Sequence, residues 1–305
     1  MANTFNGMTA DNVAQMGIST LEKHLVPLSG FTLDLSADIA TQGTTVSTRI
    51  VPAATAATDL VDDESNSYAA VIDNQTTTAV QVTLDPHPVT GFAFTDAEAQ
   101  QIASGVWADT SRRLVQSHIR GIAEDVLDSV FALVTNANYG AAAKTVTAAN
   151  FDSDDVADLR NTAITAGLDP EDMVLVLNPD YYAALLKDNA IADYSASQSD
   201  ALRSGELPRL SGFRVIEAPT LPSNSENLTG FIASSDAIAI AMRGVDTQDR
   251  SQFLSYQIMQ DDSVGAVMTY SALWTPTYRR VEHVFEALYG VKKANGSALK
   301  RIVSA

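Results

Sequence analysis

The sequence predicts a mixed α+β fold, and three features of the chain support this prediction. A polar, extended stretch over residues 42–94 is followed at once by a helix of unusual length. Short helices and apolar strands then alternate over residues 150–245, which is typical of an α/β module. Long strands return after residue 251. This order predicts two lobes that are joined by two crossings of the chain.

The extended stretch is predicted to be a two-stranded β ribbon. Residues 44–51 and 71–84 are rich in β-branched side chains, which suit a pleated surface. Residues 52–68 between them form the predicted loop tip, and this tip carries an acidic cluster of Asp59, Asp62, Asp63 and Glu64. Large apolar side chains are few, and an isolated hairpin is only marginally stable in water. We therefore expect the ribbon to rest on another copy of the chain.

The long helix begins with a capping signal at Thr95. Glu98 lies three residues further on, which makes a capping box, and Asp96 places negative charge in the first turn. The apolar residues that follow have helical spacing; they are Ile102, Val106, Leu114, Ile119, Ile122, Val126, Val130, Leu133 and Val134. A helix that continued to residues 136–138 would be about 60 Å long. We expect it to act as a strut.

Residues 150–245 are predicted to form the α/β module. The predicted helices cover residues 152–166, with Asp152 or Ser153 as the cap and Gly167 as the end, and residues 180–187. The predicted strands cover residues 173–177, 213–217 and 230–232. Residues 235–243 are an apolar run that fits a helix or a strand. Three later runs, 253–259, 264–273 and 281–291, are predicted to be long strands.

The composition excludes several classes of function. The hydrophobic fraction of 46% and the charged fraction of 18% are typical of a folded protein. No stretch is long enough for a membrane helix and the amino end lacks a signal pattern, so we expect neither membrane insertion nor secretion by a cleaved signal. Cysteine is absent, which excludes disulfides, zinc–thiolate sites and thiol nucleophiles. The formal net charge of −18 argues against a DNA-reading domain.

Basic residues gather near the carboxyl end of this acidic chain. They are Arg279, Arg280, Lys292, Lys293, Lys300 and Arg301. Two interpretations are open: a solvated face, or a docking strip for the acidic surface of a neighbour.

The sequence contains no recognisable catalytic motif. The G-x-S-x-G, H-E-x-x-H and G-x-x-x-x-G-K-[ST] patterns do not occur, and the histidines are dispersed. We expect His118 to have a packing or surface role. Asp152, Asp154 and Asp155 have the spacing of metal ligands but lack the glycine and terminal glutamate of a calcium loop, and acids are favoured at a helix start. We therefore predict no enzymatic activity, cofactor or metal site.

Three local stretches resemble those of a known family. The first runs from the small-residue turn at 204–207, through G-F-R-V at 212–215, to T-L-P at 220–222. The second is D-A-I-A-I-A-M-R at 236–243, and the third is A-L-Y-G-V-K at 287–292. Together with the order of the predicted elements, they resemble the tailed-bacteriophage major capsid proteins of the HK97-like fold, in the subgroup related to the P22 coat but without its inserted domain.

The resemblance implies a division of the chain into five parts. These are an N-terminal arm (1–41), an extended loop (42–94), a peripheral domain with the spine helix (95–149), an axial α/β domain (150–245), and returning antiparallel strands with the C-terminal tail (246–305). It also implies a protein that self-assembles as pentamers and hexamers into an icosahedral shell around double-stranded DNA, without sequence-specific binding. A hinge near residues 92–95 would permit expansion of a precursor shell.

The resemblance further implies partners and a location. The chain has no long helical pro-segment before the extended loop, so a separate scaffolding protein is expected, together with a portal; a decoration protein is a further candidate. The expected location is the virion capsid after assembly in the host cytoplasm. At the contact between copies, Asp59, Asp62, Asp63 and Glu64 are expected to face Arg112, Arg113, Arg279 and Arg280.

Two alternative functions are considered for this sequence. The first is an encapsulin-like compartment of the same fold, which would enclose cargo enzymes instead of a genome. The second is an acidic surface or adhesion protein, which the Thr-rich ribbon favours and the absence of a signal pattern disfavours.

Overall fold

The described chain is a mixed helix and sheet structure, as predicted. The computed structural model describes residues 10–34, 45–50, 78–98, 108–168, 171–188, 207, 209–247, 249–261 and 264–305. The α-helices of these residues are α1 (Ala10–Leu25), α2 (Ala108–Ala132), α3 (Asn136–Tyr139), α4 (Ser153–Thr165) and α5 (Pro179–Lys187). Short 3-10 helices cover Val26–Gly30 and Ala148–Asn150.

The described strands form sheets of two to five strands. In chain order they are β1 (Thr32–Asp34), β2 (Thr45–Ile50), β3 (Thr78–Thr83), β4 (Val89–Thr95), β5 (Lys144–Thr145), β6 (Val174–Leu177), β7 (Arg214–Glu217), β8 (Leu228–Ala233), β9 (Ile238–Arg243), β10 (Ser255–Asp261), β11 (Ala266–Thr275), β12 (Arg280–Glu286), β13 (Leu288–Lys293) and β14 (Leu299–Val303). The sheet orders are β10-β11-β12-β4, β1-β9-β13, β5-β14-β8-β6-β7 and β2-β3.

Two helices cover one face of the four-stranded sheet. α1 lies over β10 and β11, while α2 lies against β4 and β12 and also contacts α1. The buried side chains of α2 include Val115, Ile119, Ile122, Val126 and Val130. The predicted apolar stripe is therefore confirmed over the described part of the helix, and it faces the main core.

Residues 10–34, within the predicted N-terminal arm, are folded into α1, a 3-10 helix and β1, elements that were not predicted from the sequence. Val13, Leu21 and Leu25 of α1 are fully buried in the main core. The ring of Phe31 lies 5.2 Å from that of Phe231 in an edge-to-face contact, and β1 pairs in parallel with β9. The reason is the helical spacing of the apolar residues, which gives this segment an amphipathic face that the core can bury.

The start of the long helix is confirmed and its end is corrected. The Thr95 backbone N–H donates to Glu98 Oε2 at 2.9 Å, and the Glu98 N–H donates to Thr95 Oγ1 at 3.4 Å, which is the predicted capping box. Residues 96–98 are helical, and residues 99–107 lie outside the described residues. α2 ends at Ala132 rather than near residue 138, because the chain turns at Thr135 and starts the separate helix α3.

The stem of the ribbon packs on its own subunit, which corrects the expectation that the whole ribbon rests on another copy. β2 and β3 pair antiparallel, with Thr45 opposite Thr83. Three apolar side chains are enough to anchor this stem: Val80, Val82 and Leu84 are buried in one cluster with Ala239, Ala241 and Leu288 of β9 and β13. β4, at the end of the predicted ribbon, is an edge of the four-stranded sheet. The loop tip lies outside the described residues.

The five-stranded sheet of the α/β module extends beyond the predicted limits of 150–245. β14, from the carboxyl end, lies between β5 and β8. Residues 238–243, left open between helix and strand, form β9, which belongs to the three-stranded sheet instead. The predicted strand 281–291 is two strands, since β12 pairs with β11 and β4 whereas β13 pairs with β9. Spatial neighbours from distant parts of the chain decide these boundaries.

Candidate assembly surfaces

The β11–β12 hairpin exposes two large aromatic side chains. Trp274 is 46% exposed and Tyr278 is 65% exposed, although most of the described aromatic residues are buried or half-buried. Trp274 lies opposite Val281, which in turn lies opposite Phe94, so the three form one row across β11, β12 and β4. Val281 and Phe94 are half-buried, and Trp274 is the exposed end of the row. Exposed aromatic side chains beside an apolar row are typical of a surface that meets another protein.

α2 covers the neighbouring part of the same face. Two residues further along the same face, Phe92 packs 5.5 Å from the His118 ring of α2, and His118 Nδ1 lies 2.6 Å from Thr90 Oγ1. His118 therefore has the packing role that the sequence predicts. We name the exposed end of this sheet, residues 274–281, the hairpin surface.

Two of the four predicted contact arginines lie on the hairpin surface. The Arg280 guanidinium lies 4.8 Å over the Tyr278 ring and pairs with Glu282 at 2.8 Å. This hydrogen bond with Arg280 lowers the pKa of Glu282. Arg279 has a left-handed backbone, with φ of 49°, and its Nε lies 3.7 Å from Asp96 Oδ2. Both pairs are exposed, so each contributes little to stability and leaves the arginine accessible.

The other two predicted arginines lie elsewhere. Arg112 and Arg113 are exposed on the second turn of α2, and within the described ranges neither forms an ion pair with another residue. The acidic residues Asp59, Asp62, Asp63 and Glu64 lie outside the described residues, so their contact with the arginines stays a prediction.

The four-stranded sheet has a second exposed apolar feature on β10. Leu254 is 64% exposed just before this strand, and Ile258 is 41% exposed within it. β10 pairs only with β11 among the described strands, so its outer edge has no strand partner there. Tyr256 packs 5.0 Å beneath the Arg250 guanidinium and donates its hydroxyl to Val245 O, which holds the strand against the body.

The basic residues near the carboxyl end do not form one strip. Lys293 Nζ donates to Asn138 O at 3.0 Å, and Arg301 is buried, with only 4% of its surface exposed, in a pair with Glu226. Arg279 and Arg280 belong to the hairpin surface on a different sheet. The six basic residues are therefore neither one solvated face nor one docking strip, because Lys293 and Arg301 bind partners within their own subunit.

The third resemblance stretch, residues 287–292, joins the spine to the ribbon stem. The Tyr289 hydroxyl contacts Asp125 Oδ2 at 2.9 Å and Ser129 Oγ at 2.6 Å, both on α2. Burial raises the pKa of Tyr289 to about 12, so the phenol stays neutral and donates to the carboxylate. Its neighbour Gly290 lies directly beneath the backbone of β3.

The candidate metal ligands and His283 have structural roles among the described residues. Asp152 Oδ1 accepts from the N–H groups of Asp154 and Asp155, each at 3.1 Å, so it caps α4 as predicted. The described residues include no group of three or more His, Asp and Glu side chains placed to hold a metal ion. His283 is half-buried beside Tyr270, whose hydroxyl lies 2.7 Å from His283 Nδ1, and partial burial lowers the pKa of His283.

None of the described helices combines the length and hydrophobicity of a membrane span.

The sequence did not lead us to predict that Trp274 and Tyr278 are exposed on the hairpin surface. Trp274 and Tyr278 bracket the turn Thr275-Pro276-Thr277. Two large aromatic residues beside a proline turn could have indicated an exposed tip, because a turn places its flanking side chains at the edge of a sheet.

A family model and several solved structures match this chain. The model described as phage capsid protein matches residues 78–274. The capsid structure of cyanophage P-SCSP1u matches with 13% identity and a TM-score of 0.54, covering 88% of this chain and 86% of that one. The capsid of an empty GTA particle matches with 15% identity and a TM-score of 0.55, covering 92% and 90%. The mature capsid of bacteriophage PhiM1 matches with 11% identity and a TM-score of 0.54, covering 91% and 86%.

At these identities the structures establish the fold alone. The curated proteins compared with the chain include no significant match.

Proposed function

Because the chain belongs to the phage capsid protein family, it is a major capsid protein that forms the shell of a bacteriophage virion, and we propose here how its copies meet. This conclusion rests on the match of the phage capsid protein family model to residues 78–274. The HK97-like fold agrees with it. The chain is a structural, non-enzymatic protein that assembles with itself.

The hairpin surface is the first proposed contact between copies. Aromatic residues and arginine are enriched at the centres of protein interfaces, where they bury much area at a small cost in conformational entropy. Trp274, Tyr278 and Arg280 supply this chemistry at one exposed place. Burial of this surface against a second copy would remove the most exposed aromatic side chains of the described residues from water.

The loop tip is the second proposed contact. Its acids Asp59, Asp62, Asp63 and Glu64 would face Arg112, Arg113, Arg279 and Arg280 of an adjacent copy. This proposal is supported by Arg279 and Arg280, whose ion pairs with Asp96 and Glu282 leave them accessible to a second copy. Exposed pairs contribute about 0–1 kcal/mol each, so these contacts would set register more than strength.

The finer features of the shell follow as further proposals. The copies would form pentamers and hexamers in an icosahedral shell, with the α/β module as the axial domain and the four-stranded sheet in the peripheral domain. The shell would enclose double-stranded DNA without sequence-specific binding. A separate scaffolding protein, a portal and a decoration protein are the proposed partners, assembly would take place in the host cytoplasm, and residues 92–95 would act as the expansion hinge.

Electron microscopy of the purified protein tests the function directly. We expect hollow particles of uniform diameter, formed by the protein alone or after addition of its scaffolding protein. A preparation that stays monomeric under both conditions would contradict the proposal.

Charge reversal at the loop tip tests the second contact. Asp62→Lys/Asp63→Lys/Glu64→Lys should reduce the yield of shells and leave soluble, folded subunits, because lysines would meet arginines across the interface. The matched control Asp62→Asn/Asp63→Asn/Glu64→Gln removes the charge without reversing it and should reduce the yield less. Shell yield is measured by sedimentation, and equal yields for all three proteins would refute the contact.

A further inference from the structure

The loop at residues 223–227 reaches out of the α/β module and caps the ends of two helices. It precedes β8, a central strand of the five-stranded sheet. The two helices are α2, the described part of the spine, and the short α3 that follows it. The loop therefore connects the module with the place where the spine ends.

Asn224 caps the end of α2. Its side-chain Nδ2 donates to Phe131 O and to Val134 O, both at 2.9 Å. The last carbonyls of a helix lack partners within the helix, and a glycine just after it commonly completes the end. α2 has no such glycine, since the next one is Gly140. A side chain from the module takes over this role.

Glu226 and Arg301 hold the two ends of α3. Thr135, at the N-cap of α3, makes no side-chain cap bond, and Glu226 Oε2 accepts from the Asn136 N–H at 2.8 Å instead. Arg301 of β14 donates to Glu226 through Nη1 and to Gly140 O through Nε and Nη2, at 3.1 and 3.0 Å. Arg301 is buried whereas Glu226 is 31% exposed, so the Arg301 end of the network is shielded from water.

The backbone of the loop is held in an uncommon conformation. Asn224, Ser225 and Asn227 have φ values of 51°, 55° and 53°, in the left-handed region that residues other than glycine rarely adopt. The Ser223 carbonyl closes the loop by accepting from the N–H groups of Glu226 and Leu228 at 2.9 and 3.0 Å. Such backbone persists where its surroundings determine it, and it occurs often at switch regions.

We propose that Asn224, Glu226 and Arg301 form a clasp that fixes the angle between the spine helix and the α/β module. Residues 133–140, which follow the spine helix and include α3, are held by directional polar bonds from the module, which specify one orientation and break at a small displacement. Apolar packing alone would permit sliding.

The role of this clasp in a shell rests on the proposed function. Each copy contributes the same angle to the closed surface, so a small change is repeated in every subunit. A closed clasp holds one curvature, and an open clasp allows the module to turn about residues 133–140.

Two variants distinguish loss of the clasp hydrogen bonds from a general loss of stability in the loop. Asn224→Gly/Glu226→Ala removes the side-chain caps of both helices, and glycine at position 224 accepts the left-handed backbone there. The matched control is Asn227→Gly in the same loop, where glycine accepts the left-handed backbone and the side chain makes no clasp bond. Its carbonyl, which accepts from the Ser304 N–H at 2.8 Å, is retained.

The first measurement is amide hydrogen exchange in unassembled subunits. We expect exchange in residues 131–140 to become about tenfold faster in the double variant, because local opening no longer breaks the clasp. The control should exchange at the wild-type rate. Unchanged exchange in the double variant would overturn the clasp, whether or not shells form. If the double variant does not fold, the isosteric Glu226→Gln alone weakens the pair with Arg301, and its exchange is measured in the same way.

The second measurement is the diameter distribution of shells by electron microscopy. We expect the double variant to form shells of altered or mixed diameter, while the control matches wild type. Faster exchange combined with wild-type diameters would overturn the role in curvature and reduce the clasp to a helix cap. Failure of the wild-type protein to form shells would reject the proposed function, and the exchange result would still decide whether the clasp exists.

Discussion

Gly290 permits the close approach of the ribbon stem to the body. A Cβ at this position would lie 2.3 Å from the Thr83 carbonyl oxygen and 2.9 Å from Val82 Cγ1. The first of these is backbone of β3 and cannot rotate away. The position therefore requires a residue without a side chain, and the A-L-Y-G-V-K stretch supplies it.

Gly290→Ala should destabilise the subunit by about 1–3 kcal/mol, because the methyl group pushes β3 off β13. Urea unfolding of unassembled subunits measures the loss. Gly121→Ala is the matched control: it lies on α2 with no described atom within 4 Å of the added Cβ, and should stabilise by about 1 kcal/mol. The prediction is wrong if both variants unfold at the wild-type midpoint.

His283 makes the stability of the subunit depend on pH. Burial between Phe92 and Tyr270 lowers its pKa below the ordinary value of 6.5. As the pH falls through 6.5, His283 is protonated in the unfolded chain but stays neutral in the folded subunit. The unfolded state then binds more protons, so the free energy of unfolding decreases from pH 6.5 downward until the folded ring is also protonated.

His283→Phe should remove this contribution to the pH dependence. The variant should be less stable than wild type at pH 7 by about 1 kcal/mol, because it loses the hydrogen bond with Tyr270. Between pH 7 and pH 5 wild type should lose more stability than the variant, so the gap narrows. Unfolding in urea at both pH values measures the two losses, and equal losses would show that His283 does not titrate differently on folding.

At the scale of elements, local signals were predictable from the sequence. Asp152 accepts hydrogen bonds from N–H groups that lie two and three residues after it. Thr95 and Glu98, which form the capping box, are also three residues apart. Such caps depend on near neighbours alone, so spacing is sufficient to find them. The all-apolar run at β6 likewise indicated a buried strand, and all four of its residues are buried.

Long-range pairing was not predictable in the same way. β14 completes the sheet of the α/β module only because β5 and β8, some 70 residues or more before it, lie on either side. α1 was not predicted, although its buried residues Val13, Leu21 and Leu25 have helical spacing. At the candidate site, Arg279 and Arg280 were identified from charge, whereas Trp274 and Tyr278 became visible only through their exposure.

At the scale of the whole molecule, charge opposes assembly. Each chain carries 37 acidic against 19 basic residues, a formal net charge of −18, so copies repel one another at long range. Exposed ion pairs contribute about 0–1 kcal/mol each and cannot offset this over many contacts. We therefore expect the attraction between copies to come largely from buried apolar area, and among the described residues the hairpin surface offers exposed aromatic side chains that can supply it.

Trp274→Ser/Tyr278→Ser should consequently reduce shell formation without unfolding the subunit. Each aromatic residue at the centre of an interface typically costs about 2 kcal/mol or more on truncation, so two changes repeated in every copy should raise the concentration needed for assembly at least about tenfold. Leu254→Ser is the control, since Leu254 is equally exposed but lies on the β10 side of the sheet. Sedimentation across a concentration series measures the threshold, and urea unfolding checks the subunit. A double variant that assembles at the wild-type threshold would remove the hairpin surface from the interface and leave the loop tip as the remaining proposed contact.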